Sequence, residues 1–146
     1  MENIKIENAQ ISHLQFAKDL LEEFKLPFED IEKHFENFLI AKINNTAIGL
    51  IGMEKYSHIA LLRSFAIKKE FQNSGTGKML LDALKQLAKD SGISEFYLLT
   101  TTADRYFAKN GFSRLSRENL PPEIQNTEEF KGLCPASAIC MKHSLN

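Results

Sequence analysis

The chain has 146 residues, of which 43% are hydrophobic and 25% charged, and 18 Lys and Arg against 19 Asp and Glu give a net charge of −1. This length suits about one average domain, and the composition is that of a globular protein rather than a disordered one. The balanced charge argues against a nucleic-acid-binding protein, which needs a basic excess to face phosphates. No apolar run reaches the roughly 18 residues that span a bilayer, and the start MENIKIENAQ lacks the basic flank and apolar core of a secretory signal. We therefore expect a single domain over residues 1–146, with neither a nucleic acid nor a membrane as partner.

Cys134 and Cys140 are the only two cysteines, too few for a disulfide scaffold. On one extended strand they would lie about 20 Å apart, beyond disulfide reach, although a bend at Pro135 keeps a bridge as an alternative. Free thiols are the simpler interpretation and predict a cytoplasmic protein. The four histidines share no metal-ligand spacing with each other or with the cysteines, so we expect no metal site.

Apolar periodicity predicts strands and helices along the whole chain. The predicted elements are strand 3–7, helix 10–25, a short helical segment at 28–35, strands 38–43, 47–56 and 59–67, helix 75–90, strand 95–100, helix 103–110, a polar loop at 117–134 with room for one short helix, and strand 137–143. Asn44-Asn45 predicts a tight hairpin turn because asparagine tolerates a positive φ.

Strand 59–67, helix 75–90 and strand 95–100 form a crossover unit. Such a crossover is expected to be right-handed and to place its two strands parallel, whereas the earlier strands are expected to pair antiparallel. The sequence therefore predicts a mixed α/β fold in which one layer of sheet carries helices on both faces.

The most informative segment is FAIKKEFQNSGTGKML at residues 65–80, where a buried strand ends, a polar loop turns and two glycines open a helix. The first amides of a helix have no internal partner and form a ready anion site. Gly75 and Gly77 carry no side chain that would block a phosphate, and Lys78 adds a cation beside it. The alternative is that the two glycines only permit tight packing of helix against strand.

Two nucleotide motifs fail at this loop. A P-loop needs a glycine five residues before the Gly-Lys pair and Ser or Thr after it, where this chain has Gln72 and Met79. A dinucleotide fingerprint needs a third glycine where Leu80 stands, and a carboxylate after the next strand, which instead ends in Thr100–Thr102. Neither of these two nucleotide motifs is therefore present at the loop.

The segment Gln72-Asn73-Ser74-Gly75-Thr76-Gly77 resembles the Q/R-x-x-G-x-G/A signature of the GNAT superfamily of acetyltransferases, and ADRYFAKNGF at 103–112 resembles its A-x-x-x-Y-x-x-x-G-F segment. More narrowly, the chain resembles the N-acetyltransferases found with arsenic-resistance genes and the acetyltransferase domain of N-acetylglutamate synthase. The segments that carry this likeness are LLRSFAI at 61–67, FYLLTTTA at 96–103, LPPEI at 120–124 and GLCPASAICM at 132–141. The resemblance covers roughly residues 47–143 and implies a GNAT-like α/β fold: a central mixed, largely antiparallel sheet of about six to seven strands with helices on both faces.

The resemblance implies an acetyl-CoA-dependent N-acetyltransferase, with acetyl-CoA as cosubstrate. The residues expected to contact the coenzyme are Phe65, Ala66, Ile67, Gln72, Asn73, Ser74, Gly75, Thr76, Gly77, Lys78, Thr101 and Phe107. In the family pattern, strand amides, here around Phe65–Ile67, bind the thioester carbonyl, and such donors contribute a few kcal/mol in acyl transfer. Phe107 stands where many members carry the tyrosine that protonates the departing thiolate, and Lys69 replaces the usual proline. Tyr106 is adjacent but turned about 100° along the helix, which favours a core or rim aromatic.

Arg63 and Ser64 interrupt a buried strand beside this loop. Arg63 either grips a carboxylate of the acceptor or forms a structural ion pair with Glu54, because a buried charge needs a partner in both cases. Glu54 is a candidate general base, directly or through water, with a structural role as the alternative. The catalytic candidates are therefore Glu54, Arg63 and Ser64. The expected acceptor is a small, amino-acid-like and anionic amine taken up by a monomer or homodimer; a CoA-binding module without turnover and a protein N-acetyltransferase are the alternatives.

Overall fold

The computed structural model describes residues 3–133 and 136–145. Its strands are β1 (Ile4–Asn8), β2 (Phe38–Ile43), β3 (Thr46–Tyr56), β4 (Ile59–Ile67), β5 (Glu95–Thr100), β6 (Ser113–Leu115) and β7 (Ile139–Ser144). Its helices are α1 (Leu14–Glu23), α2 (Thr76–Asp90), α3 (Asp104–Lys109) and α4 (Pro122–Gln125), with 3-10 segments at Ile11–His13, Ile31–Asn37, Lys69–Phe71 and Arg117–Asn119 and a π-helical turn at Glu129–Leu133. The elements predicted from the sequence are thus present in the predicted order, with β6 added.

The strands form one seven-stranded sheet in the order β1-β2-β3-β4-β5-β7-β6. Within the described ranges, β4 and β5 pair parallel and the other neighbours pair antiparallel. This confirms the mixed, largely antiparallel sheet. Asn44 and Asn45 have φ of 50° and 67°, so the predicted left-handed turn joins β2 to β3.

Helices α1 and α2 pack on opposite faces of the sheet because side chains alternate along each strand. Leu39 and Ile51 pack with the apolar side of α2, whereas Ile40 and Leu50 pack with that of α1. A third buried group, in which Ile124 of α4 packs on the strands, covers the sheet further along. The prediction of helices on both faces is confirmed.

A β-bulge in β4 lies next to the point where the sheet opens. Ser64 has a left-handed φ of 59°, and the β3–β4 register shifts between Leu50 and Gly52. On its other side β4 pairs with β5 only through Ile59–Leu61. The part of β4 that contains the bulge therefore does not pair with β5. The carboxyl-terminal halves of two parallel strands therefore diverge, at the kind of position where α/β proteins bind ligands.

Cys140 lies buried on β7 as a free thiol, whereas Cys134 lies outside the described residues. In residues 3–133 and 136–145, no helix combines the length and apolar character needed to cross a bilayer.

Candidate active site

The divergence of β4 and β5 opens a cleft of about 680 Å³. Residues of β4, the loop before α2, β5 and α3 line it, together with the segment after α1. The predicted site residues on its wall are Arg63, Ser64, Phe65, Ala66, Ile67, Gln72, Asn73, Gly75, Gly77, Lys78, Thr101 and Phe107. Glu54, Ser74 and Thr76 do not line it. The structure thus brings residues from four separate segments to one opening.

The helix that begins at this cleft has an uncapped amino terminus. Gly75 is the N-cap of α2 with a φ of 91°, and no side chain caps the helix there. The backbone bond from Met79 to the carbonyl of Gly75 is the first of the helix, so the amides before Met79 have no intrahelical partner. A Cβ on Gly75 would meet no atom within 4 Å. The terminus therefore faces open space and suits an anion.

Side chains of the loop hold its conformation rather than reach into the cleft. The hydroxyls of Ser74 and Thr76 lie 2.8 Å apart, and Ser74 also donates to the carbonyl of Phe71. Thr76 is fully buried, so its side chain is not presented to the cleft, and the contact of Ser74 and Thr76 with the coenzyme stays a prediction. Gln72 lines the cleft while its Nε2 donates to the Ile67 carbonyl at 3.0 Å. Ser74 and Thr76 are left with their backbone amides as binding groups.

Lys78 lies in the first turn of α2 and pairs with Asp82 at 2.9 Å. Both side chains are more than half exposed, so the pair is weak and leaves the ammonium group able to turn toward a phosphate.

Three aromatic rings form one wall of the cleft. The ring of Phe65 lies 5.9 Å from that of Tyr106 and 6.0 Å from that of Phe107. Phe107 is buried against Phe112 as well, at 5.4 Å. The position of the usual tyrosine is therefore filled by an apolar ring, and Tyr106 is a rim aromatic.

Arg63 is enclosed by carboxylates. Its Nη1 and Nη2 bond both oxygens of Asp30 at 2.7 Å each, and Nη1 also bonds Glu54 at 2.6 Å. Its Nε lies 3.0 Å from the Ser64 hydroxyl and 3.2 Å from Glu129. The guanidinium group is fully buried. This geometry favours the structural ion pair over acceptor binding, the two alternatives that the sequence left open, because all three nitrogens of Arg63 already bond protein groups.

The electrostatics agree with this ion-pair cluster. Burial opposes ionisation of Asp30, but the hydrogen bonds and charge of Arg63 outweigh it and lower the pKa of Asp30. Burial likewise opposes the charge on Arg63, and the surrounding carboxylates raise its pKa instead. Asp30 and Arg63 are therefore ionised at neutral pH.

Glu54 lies behind the cleft. It is 1% exposed and, besides Arg63, it accepts a hydrogen bond from the Tyr56 hydroxyl. Burial and this bond raise the pKa of Tyr56, which stays protonated as a donor. The burial and contacts of Glu54 favour the structural role over that of a direct base, the two alternatives that the sequence left open.

Asp30, His34 and Glu54 place one potential metal-ligand atom each within 4.8 Å of one another, a juxtaposition that the histidine spacing did not suggest. Arg63 already bonds the two carboxylates, so a second cation beside the guanidinium would meet repulsion. The arrangement suits an ion-pair cluster better than a metal site.

Glu129 is the functional candidate that the sequence did not reveal. Among the residues that the structure describes, it is the one carboxylate on the cleft wall, and its side chain is 5% exposed. It comes from the polar loop at 117–134, which carries no motif or periodicity that would mark a single residue. Its contact with Arg63 Nε at 3.2 Å connects this loop to β4.

Residues 5–112 match the acetyltransferase (GNAT) family, and the chain belongs to that family. This agrees with the cleft between two diverging parallel strands and with the uncapped helix at its edge.

Known proteins resemble the chain over most of its length. An uncharacterized N-acetyltransferase of Chlorobaculum tepidum is 28% identical over 101 residues, 68% of this chain and 64% of that protein. An amino-acid acetyltransferase of Vibrio atlanticus is 26% identical over 105 residues, 70% of this chain and 24% of that protein. The chain thus spans only part of each relative.

Solved structures share the fold. N-acetylglutamate synthase from Neisseria gonorrhoeae, solved with coenzyme A and L-arginine, superposes with a TM-score of 0.84 at 20% identity, covering 98% of this chain and 33% of that one. A Mycobacterium tuberculosis protein solved with CoA gives a TM-score of 0.82 at 18% identity, covering 97% of this chain and 99% of that one.

Proposed function

We propose that this protein transfers the acetyl group of acetyl-CoA to the amino group of a small, amino-acid-like acceptor by direct attack. The observation that carries the proposal is the uncapped start of α2 at the edge of a cleft that runs between β4 and β5. An anionic diphosphate fits the helix terminus, and an extended arm fits the gap between the strands. The CoA-bound structures of the same fold support this assignment.

The chemistry needs little from side chains. The amine nitrogen attacks the thioester carbonyl carbon, the C–S bond breaks, and the nitrogen loses a proton to solvent. An α-amino group with a pKa of about 8 is partly neutral at neutral pH, so a strong base is not required. The strand amides of Phe65–Ile67, beyond the β4–β5 pairing, are the proposed donors to the oxyanion.

The leaving thiolate departs without a protein acid at position 107. A thiol pKa of about 8.5 makes the thiolate a reasonable leaving group near neutral pH, and water supplies its proton. Phe107 instead packs on Phe65 and keeps that wall of the cleft apolar.

The proposed acceptor class follows from one relative and from the charges that line the cleft. The Vibrio relative is named an amino-acid acetyltransferase. Since Arg63 is occupied, Lys25 is the exposed cation after α1 that lines the cleft and would receive an acceptor carboxylate. Thr101 on the opposite wall offers a hydroxyl. A cytoplasmic location and a monomeric or homodimeric state belong to the same proposal.

The test is acetyl-CoA turnover with a panel of amino acids and analogues, followed by release of free thiol. Turnover with amino acids, and none with their decarboxylated amines, is the expected result. Thermal stabilisation by CoA without turnover on any acceptor would indicate a binding module instead. Turnover on peptide amino termini alone would indicate a protein N-acetyltransferase.

A further inference from the structure

The hydroxyl of Tyr106 stands beside the start of α2. It lies 3.2 Å from the position that a Cβ on Gly77 would occupy. In the described part of the chain, this hydroxyl makes no hydrogen bond to protein, although Tyr106 is only 37% exposed. A polar group is thus directed at the helix terminus with its bonding capacity unused.

The ring of Tyr106 holds this position through packing. It contacts Phe65 at a centroid distance of 5.9 Å and Phe107 at 5.5 Å. Both partners are fixed in the cleft wall, so the hydroxyl is presented to the cleft with little loss of side-chain freedom on binding.

The location separates Tyr106 from the chemical step. Phe107 occupies the position of the usual acid, and Tyr106 points instead to Gly77 in the first turn of α2. That turn is where the unpaired amides collect. The hydroxyl is therefore placed for the anionic end of a coenzyme rather than for its thioester.

The protonation state of Tyr106 suits a donor. Burial raises its pKa above the ordinary value, more than nearby Lys78 lowers it. The phenol keeps its proton at neutral pH, and an O–H bond to a charged phosphate oxygen is stronger than one to a neutral acceptor.

We propose that Tyr106 is a coenzyme-positioning residue whose hydroxyl donates a hydrogen bond to a diphosphate oxygen at the start of α2. This inference rests on the proposed function, since it takes acetyl-CoA as the ligand of the cleft. This hydrogen bond would make the protein favour CoA thioesters over thioesters of pantetheine, which have the same acyl arm but no diphosphate.

The experiment compares wild type with Tyr106→Phe. A bond to a charged group contributes about 1.5 kcal/mol or more, which corresponds to about a tenfold rise in Kd for CoA and in KM for acetyl-CoA. The KM for S-acetylpantetheine, the kcat and its pH profile are expected to stay unchanged. Tyr97→Phe is the matched control, because the Tyr97 hydroxyl bonds Glu95 at 3.0 Å and does not line the cleft.

Three outcomes would overturn the inference. Equal losses with acetyl-CoA and S-acetylpantetheine would place the hydroxyl away from the diphosphate. A lower kcat with an altered pH profile would make Tyr106 an acid. If wild type binds CoA and Tyr106→Phe binds it with the same affinity, only this inference is contradicted. If wild type binds no CoA, the proposed function itself is contradicted.

A second variant checks the geometry. Gly77→Ala would bring a methyl group 3.2 Å from the Tyr106 hydroxyl, and also close to Ile67 and Phe65. If the hydroxyl binds the diphosphate, Gly77→Ala should cost less CoA affinity in the Tyr106→Phe background than in wild type. Additive losses would contradict the proposed placement.

Discussion

Replacing Arg63 by alanine is expected to destabilise the fold by about 3–5 kcal/mol, the usual cost of removing one partner from a buried ion pair. The cost arises because three carboxylates lose their common cation while remaining out of water. Asp30, Glu54 and Glu129 are 5%, 1% and 4% exposed. Their distances to Arg63 nitrogens, 2.7, 2.6 and 3.2 Å, leave no room for a screening water between them and the guanidinium group.

The loss is expected to depend on pH. In wild type, Arg63 holds the pKa of Asp30 below its ordinary value, so this ionisation stabilises the fold above an unfolded pKa of about 3.9, and that contribution is lost as pH falls through the folded value. In Arg63→Ala the cation is gone, and burial opposes the Asp30 charge with only hydrogen bonds to Glu128 and to backbone left to favour it. Asp30 then takes up a proton more readily as pH falls, which relieves part of the cost of its burial in the variant. The gap in unfolding free energy between the two proteins should therefore be largest at neutral pH and shrink toward pH 4.

Urea unfolding followed by circular dichroism at pH 7 and pH 4.5 measures this difference. Lys33→Ala is the control, because Lys33 pairs with Glu128 at 2.8 Å on the surface and its removal should change stability little. If Arg63→Ala is as stable as wild type and has a raised KM for the acceptor, the reasoning is refuted, and Arg63 binds the acceptor instead.

Four other substitutions test separate parts of the structure. Gly75 and Gly92 lie at opposite ends of α2 with φ of 91° and 83°, and a Cβ at either position would meet open space. In Gly75→Glu and Gly92→Glu the glutamate must therefore adopt a left-handed conformation. Both should lose about 1–2 kcal/mol of stability, but isothermal titration should show that only Gly75→Glu abolishes CoA binding; equal binding by the two would count against the phosphate assignment. Phe107→Tyr should make kcat fall above a pH of about 10, as an added phenol acid deprotonates, whereas a wild type that already shows this fall must use another acid. Gly52→Ala would place a Cβ 2.3 Å from the ring of Phe38 and should cost about 1–3 kcal/mol in urea unfolding; an unchanged midpoint would mean that the ring moves freely.

The local features of the fold could be predicted because each has its own signal in the sequence. Asn44-Asn45 specifies a left-handed turn, and the confirmed φ values follow from the tolerance of asparagine for that conformation. The glycines at 75 and 77 mark the start of α2, which begins at Thr76. By contrast, Ser113–Leu115 is a three-residue strand without alternation, and nothing in its composition separates it from a loop.

The residues around Arg63 could be predicted only in part. Glu54 lies on the neighbouring strand, so a pair with Arg63 follows from the hairpin. Asp30 is 33 positions away in the chain, and Glu129 belongs to an irregular loop; no periodicity connects either of them to Arg63. The left-handed Ser64 of the β4 bulge also has no sequence signal, because serine rarely adopts that conformation.

The short pairing of β4 with β5 divides the sheet into two blocks, β1 to β4 and β5 to β7, joined by the residue pairs of Ile59–Leu61 and by the crossing of α2. A substrate arm lying in the gap would take the place of the strand pairing that the bulge interrupts. The ligand would then act as a temporary stretch of sheet, and main-chain groups that the polypeptide leaves unsatisfied become its recognition surface. Selectivity for an extended, amide-bearing arm would thus depend on backbone groups, and substitution of side chains would change it little.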